Sequence, residues 1–253
     1  LTEPGAGSDA GATATTATLD GTEWVVNGSK IFITNAGTEI TSCVTITART
    51  GPDEISNIVV PNGTPGYEIS APMAKLGWRA SDTRELAFAD ARVPEANLLG
   101  PRGAGLKQFM QILDGGRISV AAMGVGLAQG AYDLAARYAH DRHQFGKPIK
   151  EFQAIRFALA DLATEIEAGR ALVHRAAWLK DQGREFGKEA AMAKLYTGLL
   201  SNRAANIGLQ IHGGYGYMLE YPIARAFMDA RVQRIFAGTN EIMKVIIAKQ
   251  LGL

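Results

Sequence analysis

Residues 152–181 read FQAIRFALADLATEIEAGRALVHRAAWLKD. Apolar side chains recur in this run at steps of three, four or seven residues, at Ile155, Leu159, Leu162, Ile166, Val173 and Ala177. Because an α-helix completes one turn in about 3.6 residues, this spacing places all of them in one stripe along a single long helix. Such a stripe is buried by packing against other helices, so the run predicts a helical bundle.

Further helices are predicted on both sides of this run. After Pro94 the turn signals thin out, and Ala, Leu, Glu and Arg recur with a helical period. We predict helices over residues 105–140, 188–212, 222–233 and 239–251. The most apolar stretch, 118–136, contains Gln129, Asp133 and several glycines, which favours a buried helix over a membrane span.

The residues before about position 95 predict strands instead. Short runs rich in β-branched and aromatic residues alternate with Gly, Pro and Asn, at 13–19, 24–26, 31–34, 43–48, 55–60, 67–70 and 85–88. Asp20-Gly21 and Asn27-Gly28 are turn signals. We therefore predict an α+β protein: a small antiparallel β barrel or sandwich over residues 1–100, followed by an antiparallel bundle over 101–253.

Composition narrows the possible partners and the compartment. The 253 residues include 26 basic and 25 acidic side chains, so no excess of charge indicates binding to nucleic acid or to an anionic membrane. The single cysteine, Cys43, cannot form an internal disulfide, and residues 43–47 predict a buried strand. This favours a reducing compartment: the cytoplasm or, in a eukaryote, the mitochondrial matrix.

The sequence gives little support for a metal site or for a catalytic nucleophile. His140 and His143 lack a convincing third ligand, and no Gly-x-Ser-x-Gly elbow or P-loop occurs, so we predict no metal site. The run GGYG at 213–216 is similar to a phosphate-binding loop. It follows a predicted helix rather than a strand, however, and by itself indicates a helix stop.

Several separated motifs resemble those of one enzyme family. They are LTEPGAGSD (1–9), FITN (32–35), RHQFGK (142–147), QIHGGYG (210–216) and GTNEI (238–242). Together, and in this order, they resemble the acyl-CoA dehydrogenases. Phe32 stands where that family commonly has a tryptophan. The first motif begins at residue 1, without a Met, so we expect that an N-terminal portion, the family's helical N-terminal domain, is absent from this chain.

The resemblance implies a function and a set of partners. Members of this family use bound FAD to oxidise a fatty acyl-CoA thioester to the trans-2-enoyl-CoA and pass the electrons to an electron-transferring flavoprotein. They assemble as homodimers or homotetramers, and the 142–147 and 210–216 segments reach the FAD of a neighbouring subunit. We expect the same acyl-CoA substrate, FAD cofactor, electron acceptor and assembly here.

The resemblance also assigns cofactor-binding residues, and each has a simpler alternative. Hydroxyl groups can donate to a flavin edge, although a strand threonine is also simply a good β former. Glycines permit close approach of a ligand but also form tight turns. Arg142 suits a pyrophosphate or a solvated helix end. The implied cofactor residues are Thr2, Gly7, Ser8, Phe32, Thr34, Arg142, Gln144, Phe145, Gln210, Gly213, Gly214, Thr239 and Glu241.

A glycine pair inside a predicted helix indicates that another group passes close to the helix there. The segment LDGGR (113–117) contains Gly115 and Gly116, each costing roughly 1 kcal/mol relative to alanine in a helix. In the family this segment lines the acyl and pantetheine channel; core packing is the alternative explanation. Residues 81–84 resemble a loop near the CoA entrance, although a short charged loop is usually only solvated. The implied substrate-binding residues are Ser8, Arg84, Asp114, Arg117 and Gly238.

The catalytic base is missing from both family positions. Dehydrogenation removes an α proton, which requires a carboxylate. Most of the family places a glutamate where this chain has Ala237, and a minority place it where this chain has Gly116, just before the predicted catalytic residue Arg117. The nearest carboxylates in sequence are Glu241, Asp114 and Asp229, and the resemblance gives none of them this role. The Ala237 N–H would still polarise the thioester carbonyl.

Three functional hypotheses therefore stay open. The first is an FAD-dependent acyl-CoA dehydrogenase that lacks its usual base or has relocated it, whether by nature or by engineering. The second is a catalytically silent member that binds FAD and acyl-CoA. The third is a flavoenzyme acting on another substrate, such as a nitroalkane or a DNA-damaging alkylating agent. Loss of a general base alone costs about 10²- to 10⁴-fold in rate.

Overall fold

The computed structural model describes all 253 residues, which form two compact units, Leu1–Ile112 and Leu113–Leu253. The first unit contains β1 (Thr16–Asp20), β2 (Glu23–Thr34), β3 (Cys43–Gly51), β4 (Glu54–Pro61), β5 (Tyr67–Ile69) and β6 (Thr83–Pro94). These strands form one six-stranded sheet in the order β4-β3-β1-β2-β6-β5. The predicted α+β class is confirmed, but the sheet ends at β4 and β5 and does not close into a barrel.

Alternating burial along the strands builds the core of the sheet unit. Burial alternates along most of β2 and β6, as a strand with one covered face requires, and the alternation is interrupted where the pairing of the two strands shifts register. Strands β1 and β3 pair in parallel, and the other neighbouring strands pair antiparallel. The core includes Trp24, Val26, Ile46, Ile58, Leu86, Phe88 and Val93.

Two local predictions in this unit are wrong. Asn27-Gly28 is not a turn, because β2 continues through it with a register shift. Gly28 has φ 139°, and a Cβ there would lie 2.6 Å from the Thr15 hydroxyl, so the glycine serves close packing inside the sheet. Cys43 is exposed rather than buried, because it is the first residue of β3 and precedes the buried stretch that includes Ile46.

A buried ion pair fastens the N-terminal loop to the sheet. The Lys30 ammonium on β2 donates to Glu3 Oε1 at 2.6 Å and to the Thr47 hydroxyl at 3.2 Å. The Glu3 carboxylate also accepts the N–H groups of Ala14 at 2.7 Å and Thr15 at 3.1 Å. Burial alone would raise the pKa of Glu3, but these hydrogen bonds outweigh it and lower the pKa. This charged cluster therefore joins Glu3 and the backbone of Ala14 and Thr15 to the sheet.

The second unit is helical, as predicted. Its long helices are α1 (Gly105–Asp141, which begins in the first unit), α2 (Gln153–Asp181) and α3 (Gly187–His212), followed by α4 (Pro222–Ala230) and α5 (Asn240–Gln250). The fourth predicted helix ends early, because Arg231–Arg234 form a 3-10 turn. Thr239 caps α5 through a hydrogen bond from the Ile242 N–H. None of these helices combines the length and apolar character needed to cross a membrane.

The apolar stripe of α2 faces the core of the bundle. Leu162, Ile166 and Val173 are buried, and Ile155, Leu159 and Ala177 are partly buried. The buried positions of α1 and α3 in the same core are mostly alanine. Small residues let the helix backbones approach closely, which explains why α1 and α3 show no single apolar stripe in the sequence.

Lys30→Met should lower the free energy of unfolding by about 3–5 kcal/mol, because it leaves the Glu3 carboxylate buried without its cation. The double variant Glu3→Gln/Lys30→Met should recover much of this loss. Urea denaturation measures both. Arg92→Met, which removes an exposed arginine paired with Asp20 and Glu23, is the matched control and should change stability little. A loss in Lys30→Met no larger than in the control would contradict the assignment.

Candidate functional site

The first predicted binding loop lies against β2 in the sheet unit. The Thr2 carbonyl accepts the Ile31 N–H at 2.9 Å, and Glu3 and Ala6 exchange backbone hydrogen bonds around a tight turn. Ser8 is exposed. A Cβ added at Gly7 would meet no protein atom within 4 Å. Packing within the chain therefore does not require glycine at that position, and close approach of a ligand would explain it.

Strand β2 ends in strained backbone that presents an aromatic side chain. Phe32 and Asn35 have φ of 61° and 62°, a left-handed conformation that costs a non-glycine residue roughly 1–3 kcal/mol. Phe32 is 62% exposed, and Thr34 is exposed beside it. Backbone strain that exposes an aromatic ring is typical of a ligand site.

Arg84 is engaged within the protein. Its Nε donates to Asp82 at 2.6 Å, and its guanidinium also donates to the Ser70 carbonyl at 2.7 Å. Asp82 accepts the Gly37 N–H at 2.9 Å, and these hydrogen bonds lower its pKa although desolvation acts in the opposite direction. The 81–84 loop is thus an ordered ion-pair cluster, and a substrate contact by Arg84 stays a prediction.

In the helical unit, a cavity of about 640 Å³ gathers five of the predicted cofactor residues. One side is a hairpin of β7 (His143–Gln144) and β8 (Lys147–Pro148), whose turn residues Phe145 and Gly146 have positive φ. The other side is the glycine-rich end of α3. The five predicted residues on its wall are Arg142, Gln144, Phe145, Gly213 and Gly214.

The chemistry of this cavity favours an anion with an aromatic or apolar part. His212 is buried, and burial lowers its pKa, so it is neutral at pH 7 and donates from Nδ1 to the Gly208 carbonyl at 2.7 Å. Its ring stacks on Tyr138 with centroids 4.2 Å apart. Arg142 is the single charged residue of the lining, and its guanidinium lies 5.6 Å from the Tyr215 ring centre.

Other predicted cofactor residues do not line this cavity. Gln210 lies on α3 just before the glycines and is exposed. Thr239 and Glu241 lie at the start of α5. The structure therefore divides the predicted cofactor residues of the helical unit between two places.

The loop before α5 contains the vacant base position. Ala237 and Gly238 have φ of 53° and 92°, so two consecutive residues adopt left-handed backbone. The Ala237 N–H has no hydrogen-bond acceptor within the chain. It is a free donor on a half-buried, strained loop, which is the arrangement that an oxyanion hole requires.

Arg117 on α1 lies beside this loop. Its side chain is 5% exposed and forms an ion pair with Asp114, while its Nε has no hydrogen-bond partner. A Cβ built on Gly238 would lie 4.0 Å from Arg117 Nη2. Gly116, the alternative base position, is exposed, and a Cβ there would meet no atom within 4 Å. The structure thus brings together the three predicted catalytic and substrate residues Asp114, Arg117 and Gly238.

Lys194 on α3 was not predicted from the sequence. It is 1% exposed and donates to the Gly238 carbonyl at 2.6 Å and to Asn240 Oδ1 at 3.3 Å. Burial, with repulsion from Arg117, lowers the pKa of Lys194 from 10.5 to about 8. A signal was available, because Ala190, Lys194, Thr197 and Ser201 follow the helical period of a buried face.

These features define a class of α+β protein in which a β-sheet unit is followed by a helical bundle and strained loops present candidate ligand sites. Residues 1–91 match the family model described as the acyl-CoA dehydrogenase middle domain, and residues 103–252 match the model of the C-terminal domain. The chain belongs to the acyl-CoA dehydrogenase family, whose members bind FAD.

The similar proteins are longer than this chain. A probable acyl-CoA dehydrogenase of Bacillus subtilis is 52% identical over 254 residues, which cover 99% of this chain and 67% of the relative. The structure of butyryl-CoA dehydrogenase from Megasphaera elsdenii matches with a TM-score of 0.96 at 42% identity, over 100% of this chain and 67% of that one. An acyl-CoA dehydrogenase from Bacillus anthracis complexed with FAD matches at 0.95 and 34% identity, over 99% and 46%. The chain thus spans between about half and two thirds of these proteins.

Because Lys194 is buried, the free energy of unfolding should change with pH in the alkaline range. Between about 8 and 10.5 the unfolded chain holds this proton and the folded chain does not, so the free energy of unfolding contributed by Lys194 rises with pH in that window. The difference in unfolding free energy between the wild type and Lys194→Met, measured by urea denaturation from pH 7 to 10, reports it. A difference that is flat with pH would show that Lys194 titrates normally.

Proposed function

We propose that the protein containing this chain is an FAD-dependent acyl-CoA dehydrogenase that lacks the usual catalytic glutamate. The reaction converts a fatty acyl-CoA thioester to the trans-2-enoyl-CoA and passes the electrons to an electron-transferring flavoprotein. The observation that supports it most is the free Ala237 N–H on a strained loop beside the buried cations Arg117 and Lys194.

The loop suits the charge that develops during the reaction. Removing the α proton of a thioester moves negative charge to the carbonyl oxygen. A fixed N–H at Ala237 can donate to that oxygen without reorganisation, and two nearby buried cations favour the anion. Electrostatic stabilisation of this kind is usually a large contribution to catalysis, and it does not depend on the side chain at position 237.

The residues present also fit FAD. When bound, FAD accepts the hydride that leaves the β carbon. In the sheet unit, the exposed Thr34 and Ser8 hydroxyls offer donors, and Phe32 offers a ring face. In the helical unit, the cavity beside Arg142 offers a cation and aromatic walls to a phosphate-bearing group of the cofactor.

No carboxylate occupies either family base position. With Ala237 and Gly116 vacant, we expect slow dehydrogenation, lower by about 10²- to 10⁴-fold than with a base. This vacancy also favours the second candidate, a silent member that binds FAD and acyl-CoA without turnover. Since the Gly116 position has space for a side chain, a carboxylate could be introduced there as well as at Ala237.

The relatives support a proposed substrate class, and the family resemblance supports a proposed assembly. We propose a short acyl chain, with butyryl-CoA as the first substrate to test, because butyryl-CoA dehydrogenase is among the similar structures. Asp114 and Arg117 are proposed to contact the acyl-CoA arm. The active protein is proposed to be a homodimer or homotetramer, in the cytoplasm or mitochondrial matrix.

Ala237→Glu should increase bleaching of the flavin absorbance by butyryl-CoA by about 10²- to 10⁴-fold, because it supplies the missing base. Stopped-flow absorbance of the FAD-loaded protein measures the rate. Ala237→Gln has nearly the same size without a base and should not increase the rate. Gly116→Glu tests the minority position. No gain in either glutamate variant, with butyryl-CoA still bound, would favour another base or another substrate.

Arg142→Ala should weaken FAD binding by about 10- to 100-fold, the effect of losing a charge-assisted hydrogen bond to a phosphate oxygen. Quenching of flavin fluorescence on titration with the apoprotein measures the affinity. Arg175→Ala removes another exposed arginine of the same unit, outside the cavity, and should leave the affinity unchanged. Equal affinities in the two variants would exclude the cavity as a cofactor site.

A further inference from the structure

Helix α3 packs against the segment from Ala230 to Asn240 through residues spaced by one turn: Lys194, Gly198 and Asn202. A Cβ on Gly198 would lie 2.9 Å from the Gln233 carbonyl oxygen and 3.4 Å from Asn240 Oδ1. Glycine is therefore what allows the helix to approach this segment so closely. The side chains one turn away on each side can then reach the backbone of the segment.

Those two side chains hold the segment near its ends. On one side, Asn202 Nδ2 donates to the Ala230 carbonyl at 2.7 Å. On the other side, Lys194 Nζ donates to the Gly238 carbonyl at 2.6 Å and to Asn240 Oδ1 at 3.3 Å. The base-position loop, which consists of Ala237 and Gly238, lies next to the Lys194 contact.

Met243 packs against the loop at Gly238, but the backbone N–H groups at this point make no backbone hydrogen bonds. Ala237 and Gly238 lie outside helices and strands, both with positive φ, and neither N–H is used by the backbone. Lys194 is the side chain that donates to the Gly238 carbonyl. If that contact were lost, the peptides around Gly238 could rotate, because glycine tolerates many backbone conformations. The direction of the neighbouring Ala237 N–H would change with them.

We infer that Lys194 is a positioning residue for the thioester: its ammonium holds the Gly238 carbonyl so that the Ala237 N–H points to the substrate carbonyl oxygen. This inference rests on the proposed function. Lys194 is buried and reaches the reacting atoms only through the loop. Because it is a cation, it also favours negative charge on the oxygen that the N–H binds.

The electrostatic surroundings make this contact sensitive to pH. The charged groups that act on Lys194 are Arg117 on α1, which is paired with Asp114, and Glu241 on α5. Burial, followed by Arg117, lowers the pKa of Lys194 to about 8, and Glu241 opposes this shift. The ammonium is therefore charged at pH 7 and loses its proton at mildly alkaline pH, where its hold on the carbonyl weakens.

A chromophoric thioester tests the inference separately from turnover. The absorption of 4-(dimethylamino)cinnamoyl-CoA moves to longer wavelength when its carbonyl accepts strong hydrogen bonds, because the dimethylamino group donates electrons toward that carbonyl. The probe is added to the FAD-loaded full-length protein as wild type, Lys194→Met, Lys194→Arg and Ser201→Ala. Ser201 is the matched control, because it is a buried polar residue of α3 that bonds only within the helix.

We expect a red shift in the wild type and in Ser201→Ala, loss of most of it in Lys194→Met with at least about tenfold weaker probe binding, and partial rescue in Lys194→Arg. FAD binding should be equal in all four proteins. A full red shift in Lys194→Met would overturn the inference and leave the proposed function intact. No red shift in the FAD-loaded wild type would overturn the proposed function itself.

If Lys194→Met does not fold, the inference is tested by measuring the red shift of the probe in the wild type as a function of pH. The red shift should diminish as pH rises through about 8. A red shift that is constant from pH 6.5 to 9.5 would overturn the inference.

Discussion

A lysine ammonium can be buried only if acceptors surround it, and in each unit this requirement fixes the segment that carries a binding motif. In the sheet unit, Lys30 meets Glu3 and thereby holds the first loop against β2. In the helical unit, Lys194 meets the Gly238 carbonyl and holds the base-position loop. Neither loop has regular secondary structure of its own, so the two lysines supply the order that a preorganised site needs.

The two lysines differ in what they face, and the difference matters for chemistry. Lys30 faces a carboxylate, which also accepts two backbone N–H groups, so the cluster is neutral and structural. Lys194 faces a neutral carbonyl rather than a carboxylate, and the charges that act on it are Arg117, which is paired with Asp114, and Glu241. A buried ammonium whose direct hydrogen-bond acceptors are uncharged costs stability. It is useful where negative charge develops, and it would lower the pKa of any carboxylate placed on the loop.

Features set by neighbouring residues in sequence were predicted well, and features set by distant contacts were not. The stripe of α2 is local, and it appears as expected. Glycine is needed at position 28 because Thr15 packs against it, and this contact cannot be seen in the local sequence. The Asn27-Gly28 turn signal was therefore misleading. The helical period could have indicated that Lys194 is buried, but its role could not be assigned from the sequence, because its partner, the Gly238 carbonyl, lies 44 residues further along the chain.

The vacant base position separates two tasks that one residue usually performs. A glutamate at that position would offer its carboxylate for proton removal and its backbone N–H for the carbonyl oxygen. Replacement by alanine removes the first group and keeps the second. Lys194 contacts the loop through the Gly238 carbonyl, so this contact uses no atom of the Ala237 side chain. Under the proposed function, binding and polarisation of a thioester would persist in this chain, because the atoms that perform them would belong to the backbone and to a buried lysine on another helix.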